Sequence, residues 1–323
     1  MTKLIDKGIK EIEIYIDEID SKSNFNYIAL GVLYINKLNK NNLIKNLLNK
    51  RCRNPLNKEW NKKPSLCQYY SQICEKNKYH ILNSKEIHFR TMNNGISKSH
   101  INLCKDWVEI FKLNRTDLMM NILFLDLKKL DLKLFGDEKS KINAYARFLR
   151  TAINYGIKSF FGDKSKIKIK KIYCDHSDSF KRHRYFSKSN INQIKDSLNV
   201  DFSFEEIEFI DSDHKKSDKY EESNLIQFVD LILGCSKQGI FNTAKNSKPK
   251  NDLALNIKDF LLKLQNLRTG IKNFRISFFP RNNLRFENDL FGEKIRSLGE
   301  FYSLNEFDLK IEDPKNRKLD NWF

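Results

Sequence analysis

Apolar and polar residues alternate through EIEIYIDEID (11–20), where Ile12, Ile14 and Ile16 fall on one side of an extended chain. That is the period of a half-buried strand, and its end carries three carboxylates, Asp17, Glu18 and Asp20. NFNYIALGVLYI (24–35) predicts a second strand, joined to the first by a hairpin connection that includes 20–23. The spacing then becomes helical in KLNKNNLIKNLLNK (37–50), through Leu38, Leu43, Ile44, Leu47 and Leu48. Residues 51–65, with two prolines and Trp60 among many cations, read as a loop or insertion. LCQYYSQICEKNKY (66–79) predicts a helix, and KEIHF (85–89) a short strand.

From there helices and strands take turns. Helices are expected over 100–114, 141–161, 190–199 and 222–241, and strands over 120–127, 167–176 and 205–212. TAKNSKPKND (243–252) reads as a linker, followed by a helix over 253–268 and a mixed basic and aromatic tail. Two strands followed by alternation predict an α/β fold, a mixed sheet with helices packed on it. The expected division is one domain over 1–242, with an insertion at about 51–80, and a C-terminal extension over 243–323. No internal repeat is visible.

Composition narrows the class. A chain of 323 residues with 40% hydrophobic content can build a packed core, which excludes a disordered tail. The uncharged run 23–36 contains Gly31 and several Asn or Ser residues, and falls short of the ~18 apolar residues of a membrane span. No charged start, apolar block and small-residue cleavage site follow one another at the beginning of the chain, so no secretory signal is expected. Six cysteines, at 52, 67, 74, 104, 174 and 235, form no C-x-x-C pair. Cys67, Cys74 and His80 match no common zinc spacing, so reduced structural thiols and a cytoplasmic location are expected.

Charge points to a partner. Lys plus Arg total 59 against 41 Asp plus Glu, a net charge of +18. Such a surplus favours a polyanion, because neutralised phosphates release condensed counterions. The surplus is mostly Lys, in a chain crowded with Asn and Ile, which an AT-rich genome would also encode.

Several acids fall inside apolar segments, where an unpaired charge costs several kcal/mol, by about the magnitude expected for a buried ion. Asp17 follows IEIYI, Glu86 precedes IHF, Asp126 sits in ILFLDL, and Asp175 ends KIYCD. Asp230 is the only charged residue between Leu225 and Ser236. A shared Mg²⁺ or Mn²⁺ would satisfy such acids together, since these ions prefer hard oxygen ligands. Each acid also has an ordinary reading. Asp17 suits a strand-end turn, Glu86 a pair with Lys85, and Asp126 an ion pair with Lys128 or Lys129. Glu18 follows Asp17 directly and points to the opposite face of a strand. Gln227 and Asp230, three apart, share one side of a helix, so Asp230 needs a partner across the packing interface, either a metal or a cation from the sheet.

The motifs YIDE (15–18), EIHF (86–89), IYCDHSD (172–178) and SNLIQFVDLILG (223–234), in that order, resemble domain-of-unknown-function family 3800 over roughly residues 10–240. The resemblance implies a ribonuclease H-like fold and a carboxylate metal site at Asp17, Glu86, Asp175 and Asp230, with Glu18 and Gln227 beside it. Where the family reads Asp-Glu-Ser-Gly, this chain has Ile19 and Asp20 after Glu18, which alters the turn. The implied activity is metal-assisted hydrolysis of RNA or DNA phosphodiesters, with two ions clamping the attacking and leaving oxygens. A role in phage defence or mobile-element biology is also implied. His88 and His176, within two residues of implied ligands, would shuttle protons or serve as supporting neighbours.

FKRHRYF (180–186) interleaves Lys181, Arg182 and Arg184 with aromatics, and KNFRISFFPRNNLRF (272–286) does the same with Arg275, Arg281 and Arg285. Cations hold phosphates while aromatic faces stack on unpaired bases. The alternative for these aromatics is a place in the core. No sequence-reading motif is present, so base-specific readout is not expected. The competing functions are a metal-dependent nuclease, a catalytically inactive nucleic-acid-binding module or subunit of a larger complex on the same fold, and a structural or partner-binding subunit whose acids make ion pairs, its partner a further protein or a second copy.

Overall fold

The computed structural model describes residues 10–20, 26–52, 85–113, 118–135, 140–161, 167–175, 200–203, 206–264 and 273–279. Strands β1 (Lys10–Ile19), β2 (Tyr27–Ile35), β3 (Met119–Asp126), β4 (Ile167–Asp175), β5 (Val200–Phe202), β6 (Glu208–Ile210) and β7 (Phe274–Phe279) form one seven-stranded sheet. Helices α1 (Lys37–Arg51), α2 (Lys98–Leu113), α3 (Ser140–Phe161), α4 (Tyr220–Phe241) and α5 (Lys248–Leu264) flank it. The strand order is β5-β4-β1-β2-β3-β7, and β6 shares the outer edge of β4 with β5. β2 runs antiparallel to β1 and β3, while β4 runs parallel to β1, β5 and β6 parallel to β4, and β7 parallel to β3. The sheet is mixed, as the element order predicts.

Period-two patterning divides β1 between two cores. Ile12, Ile14 and Ile16 pack with the apolar side of α3, including Phe148, Leu149 and Ile153. Tyr15 faces the other way, into the core built with α1, α2, α4 and α5. Asp17, two residues on, is on that second face. Fully burying a side chain such as Leu47, Phe228 or Leu233 stabilises by roughly 1.5–3 kcal/mol, so the α4 side supplies much of the core.

α4 lies against β1, β2 and β4, and Gly31 lets it come close. A Cβ on Gly31 would stand 3.0 Å from Val229 Cγ1. Gly31 is also the β2 residue paired with Asp17, so close helix approach occurs beside the first implied ligand. α1 begins at an Asn36 side chain that accepts the Asn39 N–H at 2.8 Å, and buries Leu43, Ile44, Leu47 and Leu48. Leu38, expected on that stripe, is exposed.

Three local readings need correction. KEIHF is no strand: 85–88 is extended without a strand partner and runs into a 3₁₀ turn at Phe89–Thr91. The stretch 243–252 is only partly linker, because α5 starts at Lys248, with Pro249 in its first turn where a missing N–H costs nothing. FRISFF in the basic tail is β7, whose Phe274, Phe278 and Phe279 are buried. These aromatics are core anchors. β5 has no counterpart among the expected strands, being only three residues long. The expected helices over 66–79 and 190–199 lie outside the described residues.

No helix is long and apolar enough to cross a membrane among the described residues. Cys52, Cys104, Cys174 and Cys235 are buried.

Candidate functional site

Parallel register brings the first two acids level. Ile16 pairs with Cys174, and the next residue on each strand is Asp17 or Asp175. Asp230 comes from α4, packed across these strands, and Glu86 from the extended segment that lies along the same helix. Asp17 and Asp230 are buried, Glu86 and Asp175 half-buried.

The four acids feel one another. Burial, then the carboxylates of Asp230, Glu18 and Asp175, push Asp17 well above the usual carboxylate range. Burial also raises Glu86, assisted by Asp213 and Asp175 and opposed by the Ser212 hydrogen bond and by His88. Glu18 faces α3, as strand alternation requires, and its Oε2 accepts the Tyr145 hydroxyl at 3.2 Å. Burial and then Asp175 raise Glu18 to about 8, against that hydrogen bond.

The segment carrying Glu86 and His88 is held by α4 side chains. Ile87 N–H donates to Gln227 Oε1 at 2.9 Å, and Phe89 N–H donates to Asp230 Oδ2 at 2.6 Å. Alternate N–H groups of the segment thus meet successive turns of one helix face, and side chains replace a strand partner. Gly234, one turn further along that face, receives the Phe89 ring; a Cβ there would lie 2.2 Å from Phe89 Cγ. Ile87 and Phe89 point inward, leaving Glu86 and His88 half-exposed on the other side. His88 Nδ1 lies 3.0 Å from Asp230 Oδ2. That hydrogen bond raises His88 above the ordinary imidazole value despite its burial.

Four groups that sequence patterning did not single out complete the surroundings. Ser212, just past β6, donates its N–H to Asp175 Oδ1 at 3.2 Å and its hydroxyl to Glu86 Oε1 at 2.9 Å. Its carbonyl accepts the Gln227 amide, which also meets buried His214 Nδ1 at 3.1 Å. Arg51, the last residue of α1, donates to Lys85 O at 2.9 Å and to Gln227 Oε1. Burial pushes its guanidinium down to about 9, still charged at neutral pH. Tyr145 touches Glu18 from α3. Ser212 and His214 carried a weak signal in the polar IDSDH run after an expected strand, whereas Arg51 looked like the start of a basic loop.

Among the described residues Asp230 is met by a backbone N–H and an imidazole rather than by a cation from the sheet, one of the two partners expected for it. Asp126 behaves as its ion-pair reading expects: Oδ1 accepts Lys128 N–H at 3.1 Å and Oδ2 lies 3.7 Å from Lys129 Nζ. Arg275 sits on β7, half-buried, paired with Asn121. His176, Lys181, Arg182, Arg184, Arg281 and Arg285, with Cys67, Cys74 and His80, lie outside the described residues.

The carboxylates of Asp17, Asp175 and Asp230 are hard oxygen donors near enough to act on one another, and burial with neighbouring acids raises Asp17 and Glu86, a tension that a 2+ ion would relieve. No group of three or more His, Cys, Asp and Glu side chains is arranged to hold a metal ion among the described residues. An open cleft of about 690 Å³, lined by Asn93, Asn94, Asn242, Thr243, Lys245 and Asn246, lies between the turn after Met92 and the α4–α5 connection.

No protein-family model matches the chain, and no curated protein matches it in sequence.

Proposed function

We propose that the chain is a divalent-metal-dependent nuclease built on a ribonuclease H-like sheet. The observation that carries this is the meeting of Asp17 and Asp175, level on adjacent parallel strands, with Asp230 from the helix packed over them. Three antiparallel strands followed by a fourth parallel to the first, in the order β3-β2-β1-β4, support the fold reading. The net charge of +18 supports a nucleic-acid substrate.

Asp17, Asp175, Asp230 and Glu86 would hold Mg²⁺ or Mn²⁺, with Glu18 reserved to the opposite face by its bond to Tyr145. A bound ion supplies a Lewis acid that lowers the pKa of an attacking water and stabilises the leaving oxygen. The chain's own residues orient that chemistry. Gln227 and Asp230 fix the backbone of the Glu86 segment, and Ser212 ties Glu86 to Asp175. Asp230 on Nδ1 orients the His88 ring, leaving Nε2 to accept or return a proton.

A second reading, a non-catalytic nucleic-acid-binding module on the same fold, draws support from Asp230 Oδ2, which already serves Phe89 and His88 as a structural acceptor.

Incubation of the protein with single- and double-stranded RNA and DNA, in Mg²⁺, Mn²⁺ or chelator, separates the two. Metal-dependent cleavage abolished by Asp17→Asn supports the nuclease. Salt-sensitive binding without cleavage under any metal supports the module. Cleavage indifferent to Asp17→Asn and Asp175→Asn overturns the site.

A further inference from the structure

Arg51 is fully buried at the end of α1, 34 residues in sequence from the carbonyl it holds. We infer that Arg51 is the positioning residue for Glu86: its guanidinium fixes the chain on both sides of that carboxylate and so sets where Glu86 stands relative to Asp175 and Asp230. Nη1 donates to Lys85 O, the carbonyl of the peptide that leads into Glu86. Nη2 donates to Gln227 Oε1, the same oxygen that accepts the N–H of Ile87, the residue after Glu86. Glu86 is thereby bracketed, one side directly and the other through Gln227.

The side-chain chemistry fits this task. A buried charge costs several kcal/mol or about that order, and α1 could be anchored by an apolar residue as it is at Leu47 and Leu48. What a guanidinium adds is a rigid planar fork whose two arms reach two acceptors at once. Its plane lies against Trp107, with the guanidinium carbon 4.6 Å from the ring centroid, so the fork has one orientation. Trp107 is itself fixed by donating Nε1–H to Leu47 O at 3.2 Å. Lys in this place would bring charge without the fork.

The consequence for metal binding rests on the nuclease reading above; the hold on the Glu86 segment does not. The experiment therefore reads both, on the full chain, for Arg51→Met, Arg51→Lys and, as a control that loosens the same core away from the fork, Phe111→Leu. Residue-resolved amide exchange at Ile87 and Phe89 reports the segment, and Mn²⁺ titration calorimetry reports the site. Where cleavage is present, kcat and KM for the nucleic acid are followed as well.

Arg51→Met is expected to speed Ile87 exchange at least tenfold, to weaken Mn²⁺ at least tenfold, and to lower kcat with KM unchanged. Arg51→Lys is expected to fall between wild type and Arg51→Met, and it decides the matter should Arg51→Met fail to fold. Phe111→Leu should leave Mn²⁺ affinity within about twofold, since Phe111 packs on Phe228, Phe260 and Phe274 and its truncation removes only packing. Unchanged Ile87 exchange in the Arg51 variants overturns the inference, as does an equal loss of Mn²⁺ affinity in Phe111→Leu. A wild-type protein that binds no Mn²⁺ and cleaves nothing defeats the nuclease reading, and Ile87 exchange then decides the role of Arg51 by itself.

Discussion

Asp230 on α4 accepts the backbone N–H of Phe89 at 2.6 Å across 141 residues of sequence. One carboxylate thus does two things: it closes a buried backbone donor and it faces the acids of β1 and β4. Substitution can separate these roles. Asp230→Asn keeps an oxygen for Phe89 and is expected to change unfolding free energy by less than about 1 kcal/mol, whereas Asp230→Ala leaves the N–H unpaired and costs about 2 kcal/mol. Both should abolish metal-dependent cleavage. Asn retaining full activity in a cleavage assay would reduce Asp230 to a structural acceptor.

The raised carboxylates predict a direction for stability against pH. Burial, then Asp175, lift Glu18 from 4.5 to about 8, so between these values the folded chain binds a proton that the unfolded chain has released. The contribution of such a group is complete below the unfolded value and is lost as pH rises through the folded one. Urea midpoints should therefore fall from pH 5 to pH 8, with Asp17 and Glu86 acting in the same sense. Glu18→Gln should flatten that fall by roughly 3–4 kcal/mol. At pH 8, Mn²⁺ at a hundred times its Kd should restore about 2.7 kcal/mol. A wild-type profile parallel to that of Glu18→Gln would remove Glu18 from the account.

Gly234 predicts a steric effect with a local signature. Its absent side chain admits the Phe89 ring, and a Cβ would stand 2.2 Å from Cγ. Gly234→Ala is expected to cost about 2 kcal/mol, within the range for overpacking, despite the better helix propensity of Ala. Amide exchange at Phe89 should accelerate while that at Ile14 does not. A stabilised Gly234→Ala protein would mean the ring moves aside freely.

Lys40 binds the site's helix to the sheet. Its ammonium lies 2.8 Å from both Glu13 Oε2 on β1 and Glu222 Oε1 in the first turn of α4. Those hydrogen bonds outweigh burial and raise its pKa. Lys40→Met leaves two carboxylates in partly buried positions and should cost about 3 kcal/mol in a denaturation experiment. Adding Glu13→Gln and Glu222→Gln should recover much of that loss, and no recovery would assign the cost to packing alone.

How much of this was legible along the chain differs by element. β1, β2, β3 and α4 declared themselves because long apolar runs with a clear period are local signals. KEIHF misled because a strand-like period appears whenever one side of an extended segment is buried, whatever satisfies its N–H groups. β5 was too short to carry a period, whereas β6 falls within the strand expected over 205–212, and β7 was read as a basic tail because Arg275 drew attention from the four buried residues after it. Among the acids, the burial of Asp17 and Asp230 followed from their apolar neighbours. Their approach to one another did not, since it depends on the packing of α4 across β1.

By itself the sequence determined that the chain builds a mixed α/β sheet and that a few carboxylates stand where charge is costly, because periodicity and desolvation act through near neighbours. Tertiary structure alone decided which groups meet those carboxylates. The Phe89 N–H on Asp230, the Ser212 tie between Glu86 and Asp175, and the Arg51 fork around Glu86 join residues tens to more than a hundred positions apart. Hydrogen-bond geometry is set by the packing of whole elements, and no local pattern encodes it.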